Sequence, residues 1–405
     1  MKINKVLEID KFHTFTLTSY KILNLDVKEA KYASILSFYL DLVNNKYQTL
    51  KEMHDFLAKN FDLSYRVMLN RYGKLYILKY EMRGIDPSFI NEKNYNYKYL
   101  IKRFNEITKP LVIDNKFSKA YINRVKKIYQ SNTLNEFQDN DFKASYYSLI
   151  KLFKDKSFNY ISLLTKKELK EINETNLYEL YKKISKIKSY TILVGRNVSN
   201  IKTYPIITNL YEHAYKYPLF NSGTVIKKYD SSQSYLRIYY DIPIYSGTKD
   251  IASMSIYSHI LGEGAYSKLF SVVREKYGLC YNIDCDTDFS CGIFYISSTI
   301  KKCDLNKTLR AIDEAIDNSL TDINLDEIKD YFIKTIEQGY DYIKNYSTTA
   351  FYNDNFKDVI QDDTYINYIR NVSIDDLYKC KNYLKKKKLI YLYGGDLDEW
   401  NWYNT

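Results

Sequence analysis

A chain of 405 residues is too long for one ordinary hydrophobic core, so two units of about 200 residues are expected. With 45% hydrophobic and 27% charged residues it is a globular composition, which excludes a disordered chain. Five cysteines, an odd number without C-x-x-C spacing, exclude a disulfide framework and a structural zinc site. The net charge of +11 comes from lysines scattered over helix faces, with one dense run at Lys385 to Lys388, so no nucleic-acid partner is expected. No apolar run of about 18 residues occurs and the N-terminus has no apolar targeting core, so no transmembrane segment and a cytoplasmic location with reduced thiols are expected.

In chain order, the β-formers Phe15, Leu17, Tyr20 and Ile22 predict a strand within His13 to Leu25. Ala30 to Val43 carries Ala33, Leu36, Tyr39, Leu40 and Val43 at helical spacing. Thr49 to Lys59 predicts a second helix, opened by a Thr49–Glu52 capping box. Strands follow near Leu63 to Leu69 and Leu75 to Arg83, joined as a hairpin through Asn70 to Lys74. Tyr97 to Thr108, Asp114 to Phe137, Asp141 to Leu152 and Thr165 to Ile184 are helical, the last broken near Asn173. A strand at Tyr190 to Val194 stops at Gly195, and Ile201 to Ser222, with Pro205 and Pro218, reads as a connection.

The second half repeats the plan. Tyr235 to Tyr240 is a strand and Asp250 to Leu261 a helix; after the stretch treated next come helices at Cys303 to Ser319 and Asn324 to Tyr346, the second striped by Ile328, Phe332, Ile336, Tyr340 and Ile343. Thr349 to Ile360 and Ser373 to Leu384 continue the helical run before a strand at Leu389 to Tyr393. The closings Glu179 to Gly195 and Asp376 to Gly395 share one pattern of helix, basic segment, buried strand and glycine stop, the mark of an internal repeat. The expected class is α+β: two similar units, 1–200 and 223–405, joined by 201–222, each an antiparallel sheet with helices on one face.

The stretch His259 to Thr299 carries the chemistry. Gly262 and Gly264 predict a loop, and Ala265 to Lys276 a helix that buries Leu269, Phe270, Val272 and Val273. Gly278 stops that helix, and strands Leu279 to Asp286 and Ile293 to Ile300 follow. Arg274 and Tyr281 lie seven apart across the glycine, so the turn can bring both side chains together. The plain alternative is a surface salt bridge from Arg274 to Asp284 or Asp286, with Tyr281 a half-buried strand residue.

The run Arg274, Glu275, Lys276, Tyr277, Gly278, Leu279, Cys280, Tyr281 resembles the C-terminal domain of the pitrilysin (insulinase) metallopeptidases. Their zinc motif is the inverted H-x-x-E-H, and they carry a Gly-rich loop, a helix ending in R-E-K-x-G-L-x-Y and a hairpin in this order. The resemblance implies two homologous α/β-roll halves and substrate contacts by Arg274 and Tyr281. Gly262 and Gly264 are then either plain turn glycines or a loop lining the substrate site.

Aligned on Thr49 to Leu57, which is similar to the family's S-x-x-E-L-x-x-x-L, the three zinc-motif positions fall at Ile35, Phe38 and Tyr39. None of these is a zinc ligand or a general base. The family's later glutamate ligand would fall at Asn123 to Lys127, yet Asn115 to Asn135 holds no acidic residue. Asn209 to His213 looks like the motif without its first histidine, and His259 with Glu263 is an isolated pair; neither completes a ligand set. No metal is expected in this chain, and the resemblance implies zinc in a homologous partner subunit. The expectation is a non-catalytic subunit of a heterodimeric peptidase acting on small peptides. Bacterial relatives of that two-chain kind serve leader removal from ribosomally made peptides or general peptide turnover. A catalytically inert structural or peptide-binding scaffold is the alternative.

Overall fold

The computed structural model describes residues 2–155, 163–205, 210–229, 231, 233–263 and 267–394. The first half of the sequence forms β1 (Lys5–Glu8), β2 (Thr14–Leu23), α1 (Val27–Leu42), α2 (Leu50–Lys59), β3 (Ser64–Tyr72), β4 (Leu75–Ile85) and α3 (Tyr97–Ile107). A small hairpin, β5 (Val112–Ile113) and β6 (Lys116–Phe117), leads to α4 (Lys119–Glu136), α5 (Asn140–Leu152), α6 (Lys166–Glu171), α7 (Glu174–Ser185) and β7 (Tyr190–Gly195). The second half forms β8 (Gly223–Lys227), β9 (Ser234–Asp241), α8 (Ile251–Gly262), a π-helical turn (Phe270–Lys276), β10 (Cys280–Asp288) and β11 (Ile293–Ile300). It closes with α9 (Leu305–Asp317), α10 (Leu325–Gly339), α11 (Ile343–Asn355), α12 (Asp362–Arg370), α13 (Ile374–Tyr383) and β12 (Leu389–Tyr393).

The strands pair as β1-β7-β2-β4-β3 and as β8-β12-β9-β11-β10, the same order twice, so the repeat seen in the two closings extends through both sheets. The sheets are antiparallel except for one pair each, β1 with β7 and β8 with β12. These two parallel strands and α12 are elements that local pattern did not predict. All five cysteines are free. Among the described residues no helix is long and apolar enough to cross a membrane.

The chain divides into two compact units: Met1–Leu134 with Ser162–His213 and Gly339–Lys357, and Asn135–Ile161 with Ala214–Gln338 and Asp358–Thr405. Each unit therefore takes in one helix from the opposite half of the sequence, α11 in the first and α5 in the second. In the first unit, Phe15 and Leu17 of β2 are buried with Ile35 and Leu36 of α1 and Phe104 of α3. Strand alternation turns Tyr20 to the other face. There it stacks on Phe351 of α11, ring centroids 4.0 Å apart, while Tyr190 donates a 2.7 Å hydrogen bond to Asp354 on the same helix. In the second unit, Leu236 and Ile238 of β9 pack in one core with Phe294 and Ile296 of β11 and Tyr257 of α8. Tyr239, on the opposite face, meets Ser148 of α5 through a 2.6 Å hydroxyl–hydroxyl bond.

These two helices also explain one departure from expectation. Asn324 to Tyr346 reads as one helix, but α10 ends at Gly339 and α11 starts at Ile343, with the Asn345 side-chain amide donating to the Gly339 carbonyl at 2.6 Å. The two pieces belong to different units. The predicted helix Thr349 to Ile360 is likewise absorbed into α11 and ends at Asn355.

Gly262 is the last residue of α8 and not part of a flexible loop. A Cβ there would stand 2.3 Å from Cys285 Sγ and 2.7 Å from the Cys285 backbone nitrogen, so the residue is required by the close approach of α8 to β10. Gly264 lies outside the described residues.

Phe351→Ala should destabilise the protein by about 3–5 kcal/mol, read from chemical unfolding, because it removes a fully buried ring that holds α11 to its sheet; a loss under about 1 kcal/mol would contradict that packing. Gly262→Ala should cost about 1–3 kcal/mol by overpacking against backbone that cannot swing aside, and an unchanged denaturation midpoint would show that α8 and β10 separate readily.

Candidate substrate-contact site

The segment that carries Arg274 is not a regular α-helix. Tyr277 donates to the Val272 carbonyl at 3.2 Å and Leu279 to the Val273 carbonyl at 3.0 Å, and Phe270–Lys276 winds as a π-turn, a widened geometry frequent at functional sites. Fully buried Leu269 and Val273 anchor its inner side. Its end is tied to α9, where Glu314 accepts from Lys276 at 2.5 Å and from the Tyr277 hydroxyl at 2.7 Å. Those donors hold the Glu314 carboxyl below its usual range. Gly278 then reverses the chain at φ +60°, with open space around it, so glycine is needed here for its backbone and not for room.

The turn does bring Arg274 and Tyr281 together. The guanidinium carbon lies 4.5 Å from the Phe270 ring centroid and 5.4 Å from that of Tyr281. Among the described residues Arg274 has no ion pair. Asp284 instead accepts the Ser297 hydroxyl, and Asp286 accepts the Tyr295 hydroxyl at 3.2 Å. Tyr281 is 77% exposed, not half-buried, on the edge strand β10. Between Cys280↔Ile300 and Ile283↔Ser298 the strand carries one extra residue, a bulge that turns this part of the edge outward. The result is a cation and a phenol, held by aromatic stacking and a bulge, with donors available to an oxygen-rich ligand.

Further along the same edge is a pocket of about 700 Å³ that sequence reasoning did not identify. Ile283 points into the core, so alternation places Asp284 and Asp286 together on the opposite face, beside Tyr295 and Ser297 of β11. Arg237 on β9 also lines it, a buried guanidinium paired with Asp141 at 2.6 Å and donating to Ser145 and to the Leu236 carbonyl. His259, at the end of α8, bonds Glu263 at 2.6 Å and stacks on Tyr331 at 4.8 Å. The available sequence signals were two aspartates two apart in a strand and a lone arginine inside the apolar strand β9.

The zinc-motif positions do not suit a metal. Ile35 and Tyr39 are fully buried in the first core and Phe38 packs edge-on against Tyr129. Tyr39 donates to the Leu111 carbonyl at 2.8 Å and accepts from the Ser118 amide at 2.9 Å, so its hydroxyl is fully used as a structural tie. On α4, where the remaining ligand would stand, Lys126 reaches the Ile172 carbonyl at 2.5 Å. His213 is buried and stacks on Tyr72 at 3.8 Å, and Asn209 lies outside the described residues. Among the described residues no cluster of three or more histidine, cysteine or acidic side chains could hold a metal ion.

Residues 151–332, which include Arg274 and Tyr281, match the family model described as the peptidase M16 inactive domain. No curated protein matches the chain. Among solved structures, a conserved protein from Enterococcus faecalis is similar over 96% of both chains, with TM-score 0.86 and 18% identity. A peptidase M16 inactive domain from Pseudomonas fluorescens is similar over 98% of both chains, with TM-score 0.74 and 16% identity. A mutant of the ferredoxin protease FusC, in complex with Arabidopsis ferredoxin, is similar over 97% of this chain but 44% of its own length, with TM-score 0.68 and 13% identity. At these identities the structures show a shared fold. Residues 151–332 are thus similar to the peptidase M16 inactive domain, and the fold of nearly the whole chain is shared with these structures.

Proposed function

We propose that this chain is the non-catalytic subunit of a heterodimeric zinc peptidase and that it presents Arg274 and Tyr281 to a peptide substrate. The observation that carries the reading is the state of Arg274: stacked on Phe270 and Tyr281, with no carboxylate partner among the described residues, beside a phenol that is 77% exposed. A guanidinium left without a carboxylate on a protein surface is well suited to donate to a carbonyl oxygen. As a peptide bond is cleaved, negative charge builds on that oxygen, and a fixed cation with a hydroxyl beside it stabilises the charge more than the ground state.

The metal and the base belong to a homologous partner with an intact H-x-x-E-H motif, because the equivalent positions here are apolar core. Leader removal from a ribosomally made peptide and general peptide turnover are both compatible substrates. A catalytically inert scaffold is the competing reading, and the same experiment separates them.

The purified chain alone should bind no stoichiometric zinc by elemental analysis and cleave no peptide. Mixed with a zinc-binding homologous chain it should restore turnover, and Arg274→Ala should then lower kcat/KM by about 10²-fold, as loss of one oxyanion donor does. Tyr281→Phe should lower it less, with unchanged thermal stability because the side chain is exposed. Full activity in Arg274→Ala, or activity of the zinc chain alone, would sink this reading in favour of the scaffold.

A further inference from the structure

We propose that Glu314 of α9 is a positioning residue for Arg274: it anchors the π-turn that carries the guanidinium and so sets where that group stands. This role rests on the reading of Arg274 as a peptide contact and adds a residue that acts on it from another element. π-Helical geometry is rare and limited to single turns, so the backbone alone does not favour it. Leu269 and Val273 anchor the inner side, but both precede Arg274. Beyond it, Glu275, Lys276, Tyr277 and Gly278 are all exposed. Among the described residues, the hydrogen bonds that tie these side chains to another element all go to one carboxylate, Glu314, from Lys276 at 2.5 Å and Tyr277 at 2.7 Å. The Lys276 ammonium also lies 4.7 Å from the Tyr277 ring centroid, so the three groups lock together.

The base of this clamp is firm. Ala311, Ile312, Ala315 and Ile316 of α9 are buried in the second core, on either side of Glu314 in sequence. The residues that Glu314 grips follow Arg274 by two and three positions, and the Arg274 carbonyl accepts from the Gly278 amide at 2.9 Å. The backbone under the guanidinium is therefore bonded to the gripped end. With that end released, Arg274 loses its fixed place against Phe270 and Tyr281. Exposed ion pairs add little to global stability. The Lys276 side chain is 54% exposed and that of Glu314 32%, so this pair is poorly placed to hold the fold and well placed to hold one turn.

The first test needs no partner chain. The full chain, with isotope-labelled arginine, is read by NMR at the Arg274 Nε–Hε signal, identified by its loss in Arg274→Lys. In the native chain the signal should be displaced by the Phe270 and Tyr281 rings and rigid on the ps–ns timescale. In Glu314→Ala the displacement should collapse and the side chain become mobile, with the other arginine signals and the thermal midpoint unchanged. Glu314→Gln, whose amide oxygen can still accept the Tyr277 hydroxyl, should fall between the two. An Arg274 signal unmoved in Glu314→Ala, or one that moves together with all the others, would overturn the proposal. The second test is a double-mutant cycle in the complex with a zinc-binding homologous chain. Glu314→Ala should lower kcat/KM about tenfold, since a misplacement of about 1 Å can cost 10²-fold. In an Arg274→Ala background it should cost nothing further; the same loss in both backgrounds would show that Glu314 acts elsewhere and would also overturn the proposal. Full activity of Arg274→Ala would remove the peptide-contact reading, and the NMR comparison would then decide by itself whether Glu314 positions Arg274.

Discussion

A five-stranded sheet has two faces to cover, and in each unit the helices of its own half of the sequence cover only one of them. The second face is partly closed by a single helix taken from the other half: α11 over β2 and β7, α5 over β9 and β12. These contacts are aromatic and hydrogen-bonded, Tyr20 on Phe351 and Tyr239 to Ser148, so they combine apolar burial with directional bonds that fix where each helix lies. One helix is too narrow for five strands. On the second sheet it reaches β11 only at Ile293 and Tyr295, and the edge strand β10 keeps Asp284 and Asp286 exposed. The site is therefore a consequence of incomplete coverage, and the residues at it are those that an uncovered sheet face can carry without loss of stability.

The same logic accounts for the residues at the zinc-motif positions of α1. A zinc ligand on α1 would require a polar, partly open helix face, whereas here α1 buries Tyr32, Ile35, Leu36, Tyr39 and Leu40. Tyr39 is the informative residue, because it occupies a ligand position yet both of its hydrogen bonds go to backbone groups of the segment after α3. Burial pushes its phenol up to about 12, so it stays neutral at physiological pH. Restoring a histidine at one of these positions would bury an imidazole without partners, a cost of about 1–3 kcal/mol before any metal was bound.

Much of this was legible in the sequence where the determinants were local. The Thr49–Glu52 capping box forms in both directions, Asn173 caps the helix that follows the predicted break, and Gly278 reverses the chain with the positive φ expected of it. The juxtaposition of Arg274 and Tyr281 followed from one glycine and a seven-residue spacing. What failed depended on distant partners. β1 and β8 are short strands whose partners lie over 160 residues away, Lys5 with Ile192 and Gly223 with Leu389, so no local alternation announces them. The break after Gly339 falls where the chain passes from one unit to the other, which no local spacing announces. Gly262 suggested a loop because a glycine at a helix end is ambiguous until the Cys285 backbone is seen against it. The π-turn depends on a clamp from Glu314, thirty-eight residues past Lys276.

The charge of the chain gives the last constraint. A net charge of +11 by itself favours acidic ligands. Yet at physiological ionic strength a charge is screened beyond about 8 Å, so a bound peptide responds to the groups that line its path and not to lysines elsewhere. From the π-turn into β10 those groups run from a cation at Arg274 to two carboxylates at Asp284 and Asp286. The ends differ in kind as well as sign. The guanidinium is suited to a carbonyl, which every peptide offers at every residue, while the carboxylates can discriminate only between side chains. An edge that sets an unpaired guanidinium a few residues from two carboxylates without a cation presents both signs locally, whatever the net charge of the chain.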